Sequence, residues 1–152
     1  MICSEHNYFM NIAIEEAKKS ETDVPVGAII VKDGQIIAKA SNRKERDNDP
    51  TSHAEIIVIK EASKLLKSWR LDNTSIYITL EPCPMCASAI LYSRIPNIYF
   101  GTYDILYGAL SSKLDMRNII SFNSTVVGGI QEEKCSKLLK NFFNEQRIKN
   151  EY

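Results

Sequence analysis

Ser75-Ile76-Tyr77-Ile78-Thr79-Leu80-Glu81-Pro82-Cys83-Pro84-Met85-Cys86-Ala87-Ser88-Ala89-Ile90-Leu91 joins a strand to a helix through a pair of cysteines, and the fold class follows from that junction. Ser75 to Leu80 is a short apolar run bounded by polar residues, the pattern of a buried strand. Pro82 and Pro84 suit the start of a helix, where the missing N–H would have had no partner anyway. The helix then runs from Pro84 to Ser93 through Ala87, Ala89, Ile90 and Leu91. Cys83 and Cys86 are three apart on its first turn, so they can face one point, and the positive helix end favours thiolate over thiol. A Cys-x-x-Cys placed in this way fits either a thioredoxin-type redox pair or half of a metal site.

The other half stands upstream. Asp49-Pro50-Thr51-Ser52 is a run of turn and N-cap residues, after which Ala54, Ile57, Val58, Ala62, Leu65 and Leu66 recur at helical spacing. This predicts a helix from Ser52 to Leu66 with His53 and Glu55 in its first turn. His53, Cys83 and Cys86 together form a catalytic zinc inventory: imidazole and thiolate ligands in tetrahedral geometry, with a fourth position left for a water whose pKa the metal lowers to about 7. Glu55, a carboxylate that need not be a ligand, can then move protons. Plainer roles compete. Ser52-x-x-Glu55 is also a capping box, in which the glutamate only satisfies a backbone donor. His6, Cys3 or Cys135 could instead close a four-ligand structural site.

Outward from these segments, Tyr8 to Lys19 reads as an amphipathic helix, and Val26 to Lys32 and Gln35 to Ala40 as strands joined by the hairpin signal Asp33-Gly34. Asn97 to Gly101 and Thr125 to Val127 add strands, and Glu132 to Lys149 a last helix. A hairpin followed by alternating strands and helices implies a mixed sheet covered on both faces. With 152 residues, 44% of them hydrophobic, the expectation is one domain over 1–152 with a real core. The 19 basic and 19 acidic residues cancel, so any nucleic-acid surface must be local. No apolar run is long enough to span a membrane, and Met1 to Ser20 is interrupted by Glu5, Asn7, Asn11, Glu15 and Glu16 rather than built as a signal peptide. A soluble cytoplasmic protein with Cys3 and Cys135 as free thiols is the expectation.

His53-x-Glu55 followed by Pro82-Cys83-x-x-Cys86 is the signature of the zinc deaminases. Around it stand Val24-Pro25-Val26-Gly27-Ala28, Asn42-Arg43, Ser68-Trp69-Arg70-Leu71, Ser93-Arg94-Ile95 and the closing Leu138-Leu139-x-x-Phe142-Phe143. With these segments the chain resembles, along nearly its whole length, the bacterial tRNA-specific adenosine deaminases of the cytidine/deoxycytidylate deaminase superfamily. The resemblance implies a cytidine-deaminase-like three-layer α/β/α sandwich around a mixed sheet of about five strands. It also implies Zn2+ held by His53, Cys83 and Cys86, with Glu55 as the proton carrier. The implied reaction is hydrolysis of adenosine to inosine at the wobble position of a tRNA anticodon stem-loop, by a homodimer whose subunits complete each other's sites. In that pattern Asn42 contacts the flipped nucleoside, the Ala54 backbone touches the base, and Asp104 belongs to the loop that holds the anticodon bent.

Phe143, Arg147 and Lys149 near the end supply the aromatic and cationic groups that a single-stranded RNA loop needs. Each of these has a structural alternative: a turn residue for Asn42, a cap for Asp104, helix packing for Phe142-Phe143 and a solvated face for the cations. Two departures stand out. Leu106 takes a place where family members usually carry lysine, and the connection from Lys113 to Asn123 is short. Deamination of a free base or nucleoside (guanine, cytosine or cytidine) therefore stays open, as does a structural-zinc or redox protein.

Overall fold

Asp33 and Gly34 both take positive φ, 51° and 74°, the backbone of a two-residue turn whose twist matches its flanking strands. They join β1 (Gly27–Lys32) to β2 (Gln35–Ser41) in an antiparallel hairpin, as the Asp-Gly pair predicts. The computed structural model describes residues 3–151, so Met1, Ile2 and Tyr152 of the expected 1–152 domain lie outside the described residues. β3 (Thr74–Leu80) pairs antiparallel with β1, and β4 (Asn97–Thr102) and β5 (Thr125–Val127) follow in parallel, giving the order β2-β1-β3-β4-β5. The expected mixed sheet of five strands is present.

Strand alternation sorts the core into two layers. Ala28, Ile30, Ile76, Ile78, Ile98 and Phe100 pack with Val58 and Ala62 of α3 (Ala54–Leu66) and with Ile90 and Leu91 of α4 (Pro84–Tyr92). Ile29, Val31 and Tyr77 pack instead with Phe9, Met10, Ala13 and Ile14 of α1 (Ser4–Ala17) and Cys135 of α5 (Glu132–Asn150). Each large apolar side chain so buried contributes roughly 1.5–3 kcal/mol. The exposed ion pairs Lys18–Glu15 and Arg70–Asp72 belong to a class worth about 0–1 kcal/mol, so burial on the two sheet faces holds the layers together. α1 lies close enough to β1 that a Cβ at Gly27 would overlap the Ala13 carbonyl oxygen; only glycine fits there. Among the described residues no helix is long and apolar enough to cross a membrane.

Three short elements were not expected: α2 (Lys44–Asp47) and 3-10 turns at Lys18–Ser20, beyond the end of α1 at Ala17, and at Met116–Asn118. The first helix also begins at Ser4 rather than Tyr8. One consequence of the topology positions the site. β2, β3 and β4 run in the same direction and β1 in the opposite one, so Val26, Asn42, Glu81 and Tyr103 gather at one end of the sheet. Open α/β sheets bind ligands outside the carboxyl ends of their strands.

Candidate active site

Helix α3 starts one residue beyond His53, which is its N-cap; the expected start at Ser52 is corrected. The capping box does not form, because the Ser52 hydroxyl donates to Asp47 Oδ2 at 3.3 Å. The first helical N–H, that of Ala54, instead donates to Asn42 Oδ1 at 2.9 Å, while Asn42 Nδ2 donates to the Val24 carbonyl at 3.1 Å. A side chain twelve positions away thus does the capping. Glu55, released from that duty, is 4% exposed.

Helix α4 is built in the same way, with Cys83 as its N-cap, Pro84 opening it and Cys86 in its first turn. The two helix starts converge: His53 Nδ1 lies 3.8 Å from Cys83 Sγ and 3.5 Å from Cys86 Sγ, and the three ligand atoms all lie within 4.8 Å of one another. Zinc bonds sulfur at about 2.3 Å and imidazole nitrogen at about 2.0–2.1 Å, so a tetrahedral centre sets the two about 3.6 Å apart. The side chains fit the metal. The proposed fourth ligands are elsewhere. His6 Nδ1 is 2.8 Å from the Tyr77 hydroxyl and its ring lies tilted against Tyr99, 4.2 Å between centroids, on the other face of the sheet. Cys135 is buried on that same face and Cys3 is an exposed free thiol. Among the described residues, His53, Cys83 and Cys86 are the one such cluster, which leaves an open three-ligand site rather than a closed structural one.

The electrostatics favour a thiolate at one of the two cysteines. A hydrogen bond from Cys86 holds the Cys83 thiol down at about 4 against its burial, with His53 adding to the effect. Cys86 is pushed up, first by keeping that proton and then by burial. The bond to Cys83 raises His53. Burial raises Glu55 from its ordinary value.

One open cavity of 820 Å³ is lined by His53, Glu55, Cys83, Asn42, Asp104 and Lys149, with Val24, Leu80, Tyr107 and Phe142 among its walls. That volume lies within the ordinary range of ligand sites. Ala54 is fully buried at the start of α3 beside them. Asp104 Oδ1 accepts the N–H groups of Leu106 and Tyr107, both at 3.1 Å, so it caps its own loop while facing the cavity. Phe143 and Arg147 do not join Lys149. They line a separate depression of 430 Å³ with Tyr103 and Lys140.

Several cavity residues had not been expected to line the site, among them Tyr107, Gln146 and Phe142, the last read from the sequence as helix packing. For the last two the signal was available: residues 142, 146 and 149 share one helical face. Glu81, immediately before Pro82, also went unassigned and is 1% exposed. Burial opposes its charge, yet hydrogen bonds from Ser112, Asp104 and Leu110 hold its carboxyl below the usual range.

Residues 3–102 match the cytidine and deoxycytidylate deaminase zinc-binding region. The chain is 42% identical to a tRNA-specific adenosine deaminase of Bacillus subtilis over 96% of this chain and 93% of that protein. A solved structure from work on A-to-I editing by tRNA deaminases at the wobble position superposes with a TM-score of 0.81 at 38% identity, covering 87% of this chain and 99% of that one. A Bacillus subtilis guanine deaminase structure matches with a TM-score of 0.63 at 39% identity over 64% of each chain. With the ligand cluster, the buried glutamate and the five-stranded mixed sheet in place, this chain belongs to the zinc-binding cytidine and deoxycytidylate deaminase family, and within it to the tRNA-specific adenosine deaminases.

Proposed function

We infer that this chain is a single zinc-dependent deaminase domain, spanning residues 1–152, that hydrolyses adenosine to inosine at the wobble position of a tRNA anticodon in the cytoplasm. The observation that carries the chemistry is Glu55, buried and free of the capping box, sharing one cavity with His53 and Cys83 of the cluster that buried Cys86 completes. The substrate is supported by the tRNA-specific relatives, which align with almost the whole chain.

His53, Cys83 and Cys86 would hold the metal, whose bound form lowers the pKa of a water at its open position to about 7. Glu55 takes one proton from the attacking water to the ring nitrogen and then carries the second from the same oxygen to the departing amine, so that the water's oxygen replaces the amino nitrogen at the purine carbon and ammonia leaves. Asn42 and Ala54 meet the nucleoside as one hydrogen-bonded unit. Asn42 has already used one acceptor site and one donor, which leaves it one of each for the substrate. Asp104 and Lys149 reach the anticodon from the same cavity, and Phe143 and Arg147 hold nucleotides beside it.

A homodimer is supported by the large apolar side chains Leu65, Trp69, Tyr92 and Ile119, all exposed on or beside elements that cover one face of the sheet. A second reading, free-base deamination, rests on the match to guanine deaminase. Incubating the zinc-loaded protein with an anticodon stem-loop bearing a wobble adenosine, in parallel with guanine, cytosine and cytidine, separates the two. Inosine and ammonia should form from the stem-loop; turnover of a free base with none of the stem-loop would overturn the tRNA assignment.

A further inference from the structure

Glu81 directly follows β3 and carries a carboxylate that has no ion-pair partner among the described residues and is 1% exposed. Oε1 accepts the N–H of Asp104 at 3.2 Å and the hydroxyl of Ser112. Oε2 accepts the N–H groups of Leu110 at 3.2 Å, Ser111 at 2.9 Å and Ser112 at 3.0 Å. Successive backbone donors turned toward one point form an anion-binding nest, and here the anion is a side chain of the same molecule. The neighbouring backbone is tied in as well. Glu81 N–H donates to the Thr102 carbonyl at 2.9 Å, and the Pro82 carbonyl accepts from Ala109 N–H at 2.8 Å.

These bonds join two segments with different duties. Glu81 and Pro82 lead directly into Cys83, a ligand, while the loop from Asp104 to Ser112 carries Asp104 and Tyr107, which line the cavity. We propose that Glu81 is a positioning residue: its carboxylate fixes the substrate loop against the metal-binding segment and so sets the width of the cavity between them. The loop is packed tightly onto it, since a Cβ at Gly108 would overlap both the Glu81 carboxyl group and the Asp104 carbonyl oxygen. A glutamine could not substitute, because its NH2 group would face N–H donors on one side or the other. The remaining chemistry stands on the starts of α3 and α4, outside this loop, so loss of the anchor should affect substrate binding ahead of turnover.

The proposal rests on the stem-loop being the substrate, and the test keeps the two apart. For Glu81→Gln we expect zinc to stay at one per chain, KM for the stem-loop to rise roughly tenfold or more, and kcat at saturation to change far less. Amide exchange at Leu110, Ser111 and Ser112 should accelerate while β3 and β4 stay protected. Gly108→Ala should act in the same direction, and Ser112→Ala should do so more weakly. Unchanged KM with unchanged loop exchange would overturn the proposal. So would loss of zinc with kcat falling at constant KM, which would place Glu81 in the service of the metal alone. Should Glu81→Gln fail to fold, Ser112→Ala and Gly108→Ala decide by the same measurements. If the parent chain does not deaminate the stem-loop, the substrate assignment fails, and the exchange data still decide the anchor.

Discussion

At Glu55 the difference between a cap and a catalyst is measurable. A lost cap costs about 0.5–2 kcal/mol of stability, whereas a lost general acid and base slows a reaction by roughly 10² to 10⁴. In the structure the capping is done by Asn42, so Glu55→Ala should fold at nearly parent stability, keep its zinc and lose at least that factor in kcat. Urea unfolding, metal analysis and inosine formation on one preparation check it, and turnover near the parent rate would remove Glu55 from the mechanism. The cluster of His53, Cys83 and Cys86, placed to hold a metal, was legible in the sequence because donor type and local spacing are themselves the signal. Asn42 as a cap was not, since its bond to Ala54 depends on β2 ending beside α3. Nor was Glu81, because a glutamate next to a strand end is ordinarily solvated; only the folded 104–112 loop supplies its donors.

Among the elements, α5 shows how a periodic pattern can be found correctly and its faces still be misjudged. Phe143, Arg147 and Lys149 read as one RNA-facing group, but at about 100° per residue they divide. Phe142, Gln146 and Lys149 turn to the large cavity, while Lys140, Phe143 and Arg147 turn to the smaller depression. Truncating Phe143 and Arg147 to alanine should weaken stem-loop binding, and so should Lys149→Ala, with zinc content unchanged. Having no shared partner, the two losses should add within about 0.5 kcal/mol. Titration of labelled stem-loop against the single, double and triple variants tests this, and unchanged affinity in the triple variant would take the tail out of the interface.

The short connection from Lys113 to Asn123 carries its own staple. The Asp115 carboxylate caps the 3-10 turn through Arg117 N–H at 3.0 Å and meets the Arg117 guanidinium at 2.7 Å. Arg117 holds the Asp115 carboxyl below its usual value. A depressed folded pKa makes this contribution complete above the unfolded value of about 3.9 and progressively lost as pH falls through the folded one. The stability gap between parent and Asp115→Asn should therefore be constant from about pH 5 to 8, small because the pair is part-exposed, and should narrow below about pH 4. A gap that widened on acidification would contradict the sign. Neither this turn nor α2 was legible beforehand, because α2 is held from outside its own sequence, by Asp23 Oδ1 accepting the Glu45 N–H at 2.8 Å.

For the whole molecule the layer order was legible because each strand and helix carries its own period, and alternation alone assigns Ile29 and Ile30 to opposite cores. Strand order was not, since β1 pairs with both β2 and β3 and the order depends on contacts remote in sequence. The same global view sets an electrostatic expectation. With 19 basic and 19 acidic residues the chain has no net field to draw in RNA. The loop beside the cavity also presents Ile105, Leu106 and Tyr107 at 79%, 70% and 65% exposure rather than a cation. Arg147 and Lys149 are then the two cations assigned to phosphate. Single strands contribute a slope of about −0.7 per phosphate neutralised, so log affinity against log salt should fall with a slope of about −1.4. Between 50 and 200 mM salt that amounts to roughly a sevenfold loss, against about 10³ or more for a protein with six or more phosphate contacts. Stem-loop affinity measured across that range decides it: a slope steeper than about −4 would mean that cations beyond Arg147 and Lys149, on a second copy of the chain or elsewhere on its surface, carry the binding.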